Sequence, residues 1–184
     1  NGRLYVIGGS WSNKLQVLEM TDENGLSWSR KADLPAACED AASAVYNGKI
    51  WVMGGYVAGG YCDGHRLSSA EAYTGTGWTP LPPMPHAASS ATACVLNGRL
   101  YVMGGYESNK LQVLEMTEEN ELSWSCKADL PANRAAALSI AHEGKIVVMG
   151  GQLDNDVDTA SVVVYDPAED TWATAAPLPN PIVT

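Results

Sequence analysis

Between Tyr56 and Ser68 the chain brings together Tyr56, Tyr61, Cys62, Asp63, His65 and Arg66. Cys, Asp and His together invite a metal reading, but the spacing of Cys62, Asp63 and His65 matches no ligand pattern, so no metal is assigned. Tyr and Arg are the residue types that dominate binding hot spots. Tyr56, Tyr61, His65 and Arg66 therefore read as a candidate partner-binding cluster, with a solvated insertion of no special role as the alternative. A second group, Asp154, Asp156 and Asp158, has the alternation of a calcium loop. It lacks the glycine and distal Glu such a loop needs, and a solvated acidic loop is the preferred reading.

Chemistry beyond these groups is sparse. The three histidines are His65, His86 and His142, and no G-x-S-x-G elbow or phosphate-binding loop occurs. No catalytic residue and no cofactor is assigned. The cysteines Cys38, Cys62, Cys94 and Cys126 form no CxxC pair and no regular framework. Free thiols in a reducing compartment fit them best, and with no leader sequence in view the expectation is an intracellular, cytoplasmic protein. A net charge of −10 repels phosphate backbones and acidic membrane surfaces, which argues against nucleic acid as a partner. No apolar run approaches the ~20 residues of a membrane helix.

The elements that position these residues follow from an internal repeat. A double glycine recurs as Gly8-Gly9, Gly54-Gly55, Gly104-Gly105 and Gly150-Gly151, at steps of 46, 50 and 46. Another glycine lies six residues before each pair (Gly2, Gly48, Gly98, Gly144), preceded by Asn in the first three cases and by Glu143 in the fourth. Asn-Gly between apolar runs is a strong hairpin signal, because both residues tolerate positive φ. The runs Leu4 to Ile7, Ile50 to Met53, Leu100 to Met103 and Ile146 to Met149 read as strands buried on both faces, each ended by its glycine pair. A tryptophan follows in each unit (Trp28, Trp78, Trp124, Trp172) and is expected to be buried. A Leu-Pro step closes each unit, taken as Leu34-Pro35, Leu81-Pro82, Leu130-Pro131 and Leu178-Pro179. Four strands per unit of this length make a propeller blade.

The order of hairpin, apolar strand, Gly-Gly, strand, Trp and Leu-Pro resembles the kelch repeat. The resemblance spans residues 1–184, with repeats at about 1–36, 37–85, 86–132 and 133–184. It implies an all-β, kelch-type β-propeller of about four four-stranded antiparallel blades and almost no helix. The first blade lacks its inner strand, so 15 strands are expected in all. The inner strands are placed at Ala42 to Tyr46, Ala91 to Leu96 and Leu138 to His142, and the last five residues stop before another could form. An unpaired edge must be managed. Three completions are open: the remaining blades lie outside this chain, a further copy or chain supplies them, or the four close on themselves; the first is the leading expectation, and the domain reads as incomplete at both ends.

Units one and three are nearly the same sequence. Residues 1–36 align on 97–132 with six differences, among them Ser10/Tyr106, Trp11/Glu107 and Arg30/Cys126. The first two fall in the loop after the double glycine, where packing does not constrain the side chain. In kelch domains the loops joining the second to the third strand (B–C) and one blade to the next (D–A) commonly carry the partner site. The resemblance therefore implies a non-enzymatic module that docks another protein through Trp11, Tyr56, Tyr61, His65, Arg66, Tyr106 and Arg134. Two alternatives remain. One is a structural subunit of a larger assembly. The other is a kelch-fold enzyme of mutarotase or oxidase type, for which Arg134 and Glu39 are candidates by loop position. The copper site of galactose oxidase, a similar fold, needs two His, two Tyr and a linked Cys. His142 sits in an inner strand, where a structural role suits it better than ligation.

Overall fold

The computed structural model describes residues 3–8, 12–20, 25–37, 39–55 and 66–183. Its strands form four successive antiparallel sheets. The first holds β1 (Leu4–Ile7), β2 (Leu15–Met20) and β3 (Leu26–Arg30). The second holds β4 (Ala42–Tyr46), β5 (Lys49–Met53), β6 (Ala70–Tyr73) and β7 (Trp78–Pro80). The third holds β8 (Thr92–Leu96), β9 (Arg99–Met103), β10 (Leu111–Met116) and β11 (Leu122–Lys127). The fourth holds β12 (Leu138–His142), β13 (Lys145–Met149), β16 (Val162–Asp166) and β17 (Thr171–Ala175). Within each sheet the strands pair in chain order, as a meander. The expected 15 strands are all present, and one hairpin is added: β14 (Gln152–Leu153) and β15 (Val157–Asp158), joined by a 3-10 turn at Asp154–Asp156. That turn is the only helical element among the described residues, and no helix there is long and apolar enough to cross a membrane.

The A–B hairpins form where Asn-Gly or Glu-Gly requires them. Asn47 and Gly48 sit at φ 48° and 69°, and Asn97 and Gly98 at 49° and 71°. Two successive positive φ values match the right-handed twist of the flanking strands. The double glycines have a different reason. Gly54 and Gly104 have φ of 65° and 66°, and a Cβ on either would run into a backbone carbonyl of the following D–A loop, Ala88 or Arg134. The second glycine then donates its N–H to that same carbonyl: Gly55 to Ala88 and Gly105 to Arg134, both at 2.8 Å, and Gly151 to Ile182 at 2.6 Å. These bonds fasten the second and third B–C loops to D–A loops and the fourth to the segment after β17, so among the described residues both loop types share one face.

The core lies between the sheets, in three layers. Leu15, Ile50 and Tyr73 join blades one and two. Trp51, Met53, Met84, Leu100, Val102 and Leu114 join blades two and three. Tyr101, Met103, Leu111, Val113, Ile146, Val148 and Tyr165 join blades three and four. Burial on both faces holds for β5 and β9 but not for β1, where Leu4 is 57% and Val6 45% exposed. Those two side chains face away from blade two, and no described residue buries them.

Two further expectations are corrected. The residue closing blade two is Met84-Pro85, not Leu81-Pro82. Met84 is buried like Leu34 and Leu130, and its N–H bonds Ser68 as theirs bond Asn13 and Asn109. The constant step of six residues from the tryptophan, Trp28 to Leu34 and Trp78 to Met84, carries this in the sequence. The tryptophans are not all buried either. Trp78, Trp124 and Trp172 are half-buried on the outer strands, and each indole N–H donates across to the preceding blade at 2.8 Å, to the carbonyls of Ala32, Pro82 and Ala128. Outer strands lie at the perimeter, so one side of the ring stays wet. Trp28 has no preceding blade against it in this chain and is 53% exposed.

Candidate functional site

The face that carries the B–C and D–A loops is built on a rigid backbone frame. Along its inner rim, Asp40, Ser90 and Ala136 occupy equivalent positions with φ of 53°, 53° and 49°. The N–H of Ala136 bonds the carbonyl of Ser90, and that of Ser90 bonds the carbonyl of Asp40, both at 2.8 Å. Consecutive blades are thus strapped together along this rim.

On this frame Arg66 reaches from the second blade to the third. Its guanidinium lies 2.5 Å from Oε2 of Glu107 and 5.6 Å from the ring centre of Tyr106. An ion pair and a cation–π contact hold one arginine between two B–C loops. Leu67 anchors the same stretch through an N–H bond to Gly55 O at 2.9 Å. Tyr106 itself is 50% exposed, a large amphipathic side chain presented at the surface.

Beside Tyr106 and Glu107 opens a cavity of about 360 Å³ between blades three and four, also lined by Asn133, Arg134, Asp154 and Asp156. Asn133 donates from Nδ2 to Oδ1 of Asp154 at 2.9 Å, and Gln152 donates from Nε2 to Asp158 Oδ1 at 3.3 Å. The acidic loop is therefore partly tied down by amides. Among the described residues, no three His, Cys, Asp or Glu side chains converge where a metal could sit.

Arg134 is not displayed at the surface. It is 5% exposed, and its guanidinium donates to Gly150 O at 2.5 Å, to Ser161 Oγ at 2.7 Å and to Ser161 O at 3.3 Å. Burial pulls its pKa down, and its Nε has no hydrogen-bond partner among the described residues. It braces the base of the fourth B–C loop from below. Neither Ala88 nor Ile182, at the same place in the neighbouring loops, can do so. The expected contacts thus separate: Arg66 and Tyr106 meet, Arg134 lies beneath them, and Trp11, Tyr56, Tyr61 and His65 lie outside the described residues, as do Gly9 and the Cys62–Asp63 pair. His142 ends β12 with an exposed side chain, its Nε2 3.9 Å from Glu143.

In the sequence Glu107 stands out only as a point of difference, and Asp154 and Asp156 only as a solvated string. It missed Asn133. The signal that unites them is topological: each D–A loop must cross beneath its neighbours' B–C loops, which sequence spacing alone does not display.

Four antiparallel meander sheets, stacked face to face with β4, β8 and β12 side by side along the inner edge, define a β-propeller. Residues 87–116 and 133–179 match the model of the Kelch motif. Kelch-like protein 35 of mouse is 27% identical over 182 residues, which is 98% of this chain and 22% of that protein. A solved structure, "Structure of YjhT", superposes with a TM-score of 0.82 at 18% identity, over 98% of this chain and 64% of that one. The chain carries kelch motifs over these residues, and it spans only part of either protein it matches.

Proposed function

We propose that this chain is a protein-binding module that docks its partner on the face of the B–C and D–A loops. The observation that supports this is the Arg66–Tyr106–Glu107 junction beside the inter-blade cavity. Rigid sheets hold there a half-exposed tyrosine, a fixed arginine and several carboxylates, the mixture that builds binding hot spots. The loops differ between blades whose strands are otherwise nearly the same, so the face offers an asymmetric surface. Trp11, Tyr56, Tyr61 and His65 belong to the same loops and extend the proposal. In this reading Arg134 supports the floor of the site rather than touching the partner.

The test begins with capture of a partner on the immobilised chain and its purification. Tyr106→Ala and Arg66→Ala are expected to weaken its binding by ~1 kcal/mol or more, about fivefold. Lys49→Ala and Glu143→Ala, in the hairpins of the opposite face, are expected to leave it unchanged. The reverse pattern would place the partner on the hairpin face and end this reading.

A further inference from the structure

One register position recurs in all four blades with different chemistry. Opposite a valine of the B strand, the C strand places Gln16 (opposite Val6), Glu71 (opposite Val52), Gln112 (opposite Val102) and Val163 (opposite Val148). Gln112 shows what this position can do. It is buried, its Oε1 accepts the His86 N–H at 2.7 Å, and its Nε2 donates to the His86 carbonyl at 3.0 Å. The third blade thereby grips the D–A loop that leaves the second. Val163 can make neither bond. Glu71 is the ionisable member of the set, and it is half-buried.

The group that Glu71 would grip is Ala36. It stands eight residues past Trp28, as His86 stands eight past Trp78, and each follows a buried anchor by two residues, Leu34 or Met84. Glu71 shares the face of its sheet with Ile50 and Tyr73, which pack on Leu15 of blade one. Among the described residues neither the N–H nor the carbonyl of Ala36 is hydrogen-bonded, and the Glu71 carboxyl has no partner there either. Glu and Gln have the same length, so the reach from this register position is the same. What differs is the donor. A carboxylate only accepts, whereas the neutral acid offers one O–H and one carbonyl oxygen, the same pair that the Gln amide uses.

We propose that Glu71 is a proton-operated latch: its neutral carboxyl clamps the N–H and carbonyl of Ala36 as Gln112 clamps those of His86, and its ionisation releases the D–A loop between blades one and two. The charged groups around it leave this choice to burial. On the blade-one side Lys14 and Arg30 pair with Asp33, and Lys31 pairs with Glu19. Glu39 and Asp40 follow in the loop, whose Cys38 lies outside the described residues. On blade two, β5 carries only Lys49, at its hairpin end, and β7 carries no charge. Burial alone raises the Glu71 carboxyl above its ordinary value, with no contribution from these charges. The folded value thus lies above the unfolded value of ~4.3. The latch contributes fully below that unfolded value, and its contribution is lost as the pH climbs through the folded one. Asp33, Asp166 and Asp170 are shifted downward, so their contributions are lost instead as the pH falls. The difference between the wild-type chain and a Glu71 variant isolates the latch.

The test compares the wild-type chain with Glu71→Gln and Glu71→Leu from acid to mild alkali, by urea unfolding and by hydrogen exchange corrected for the intrinsic effect of pH. Glu71→Gln, which is latched at every pH, should have the higher urea midpoint at pH 8, and the gap should close as the pH falls toward the unfolded value. The Ala36 amide should exchange roughly tenfold more slowly in Glu71→Gln than in the wild type at pH 8, and the wild type should gain the same protection in acid. Glu71→Leu also removes the half-buried charge but cannot clamp, so its Ala36 amide should stay fast at every pH. A gap between wild type and Glu71→Gln that is absent or does not change with pH overturns the proposal. So does an Ala36 amide that ignores pH in the wild type, or that Glu71→Leu protects as well as Glu71→Gln does, because relief of a buried charge would then account for the whole effect.

Discussion

Gln16 and Gln112 stand in the same hexapeptide, Leu-Gln-Val-Leu-Glu-Met, on β2 and β10. Replacing each by Leu should have very different consequences. Gln112 is 2% exposed. Its Oε1 accepts the His86 N–H at 2.7 Å, and its Nε2 donates to the His86 carbonyl at 3.0 Å, so one side chain clamps the D–A loop of the preceding blade. Gln112→Leu keeps the volume and strands both backbone groups of His86. Each buried group left without a partner costs ~1–3 kcal/mol. Because the His86 side lies near the surface, water recovers part of this, and about 2–4 kcal/mol is expected for the pair. Gln16 is exposed with no preceding blade to clamp, and Gln16→Leu should stay within ~0.5 kcal/mol. Urea unfolding followed by tryptophan fluorescence reads the difference. With a slope of ~2 kcal/mol per molar, Gln112→Leu should lower the midpoint by about 1–2 M. Equal midpoints for the two variants would refute the idea that the clamp, rather than the local sequence, carries the stability.

Gly104→Ala and Gly98→Ala separate close approach from backbone conformation. Both glycines have positive φ, but a Cβ at Gly98 meets nothing within 4 Å, whereas one at Gly104 runs into the Arg134 carbonyl. Gly98→Ala should cost ~1 kcal/mol in thermal or urea unfolding, and Gly104→Ala should cost at least ~2–3 kcal/mol. Burial pushes the Cys94 thiol up to about 11, while Cys126 is exposed. Iodoacetamide at mild alkaline pH should therefore label Cys126 and spare Cys94 until the chain unfolds, as peptide mapping would show. A thiol with a raised folded pKa contributes stability that is intact below its unfolded value of ~8.5 and is lost as the pH climbs through the folded value, so the urea midpoint should fall across that window, and Cys94→Ala should blunt the fall.

Much of this molecule is legible residue by residue. Asn47-Gly48 and Asn97-Gly98 permit little besides a tight hairpin, because both positions must take positive φ. The double glycines mark where a carbonyl from the next loop comes too close for a Cβ. Alternation along β10 and the apolar runs of β5 and β9 specify strands and the faces they bury. The kelch resemblance, the blade count and the three-stranded first sheet follow from that pattern. Leu81-Pro82 matches the closing step of the other units only by residue identity, whereas the constant spacing from Trp78 points to Met84.

What the sequence alone left undetermined is what each residue faces in space. Arg134 reads as a surface loop residue, yet it is buried beneath the fourth B–C loop because Gly150 O and Ser161 lie within its reach. Arg66 meets Tyr106 and Glu107 across 41 residues, a contact set by the angle between two blades. Trp28 and Trp124 have the same neighbours in the chain, yet only Trp124 has a blade to donate to. Local sequence determines the strands, turns and which side of a sheet is apolar, since those depend on φ, ψ and alternation within a few residues. Burial, clamps and the junction on the loop face depend on the neighbouring blade, and only the stacking of one sheet on another supplies that neighbour.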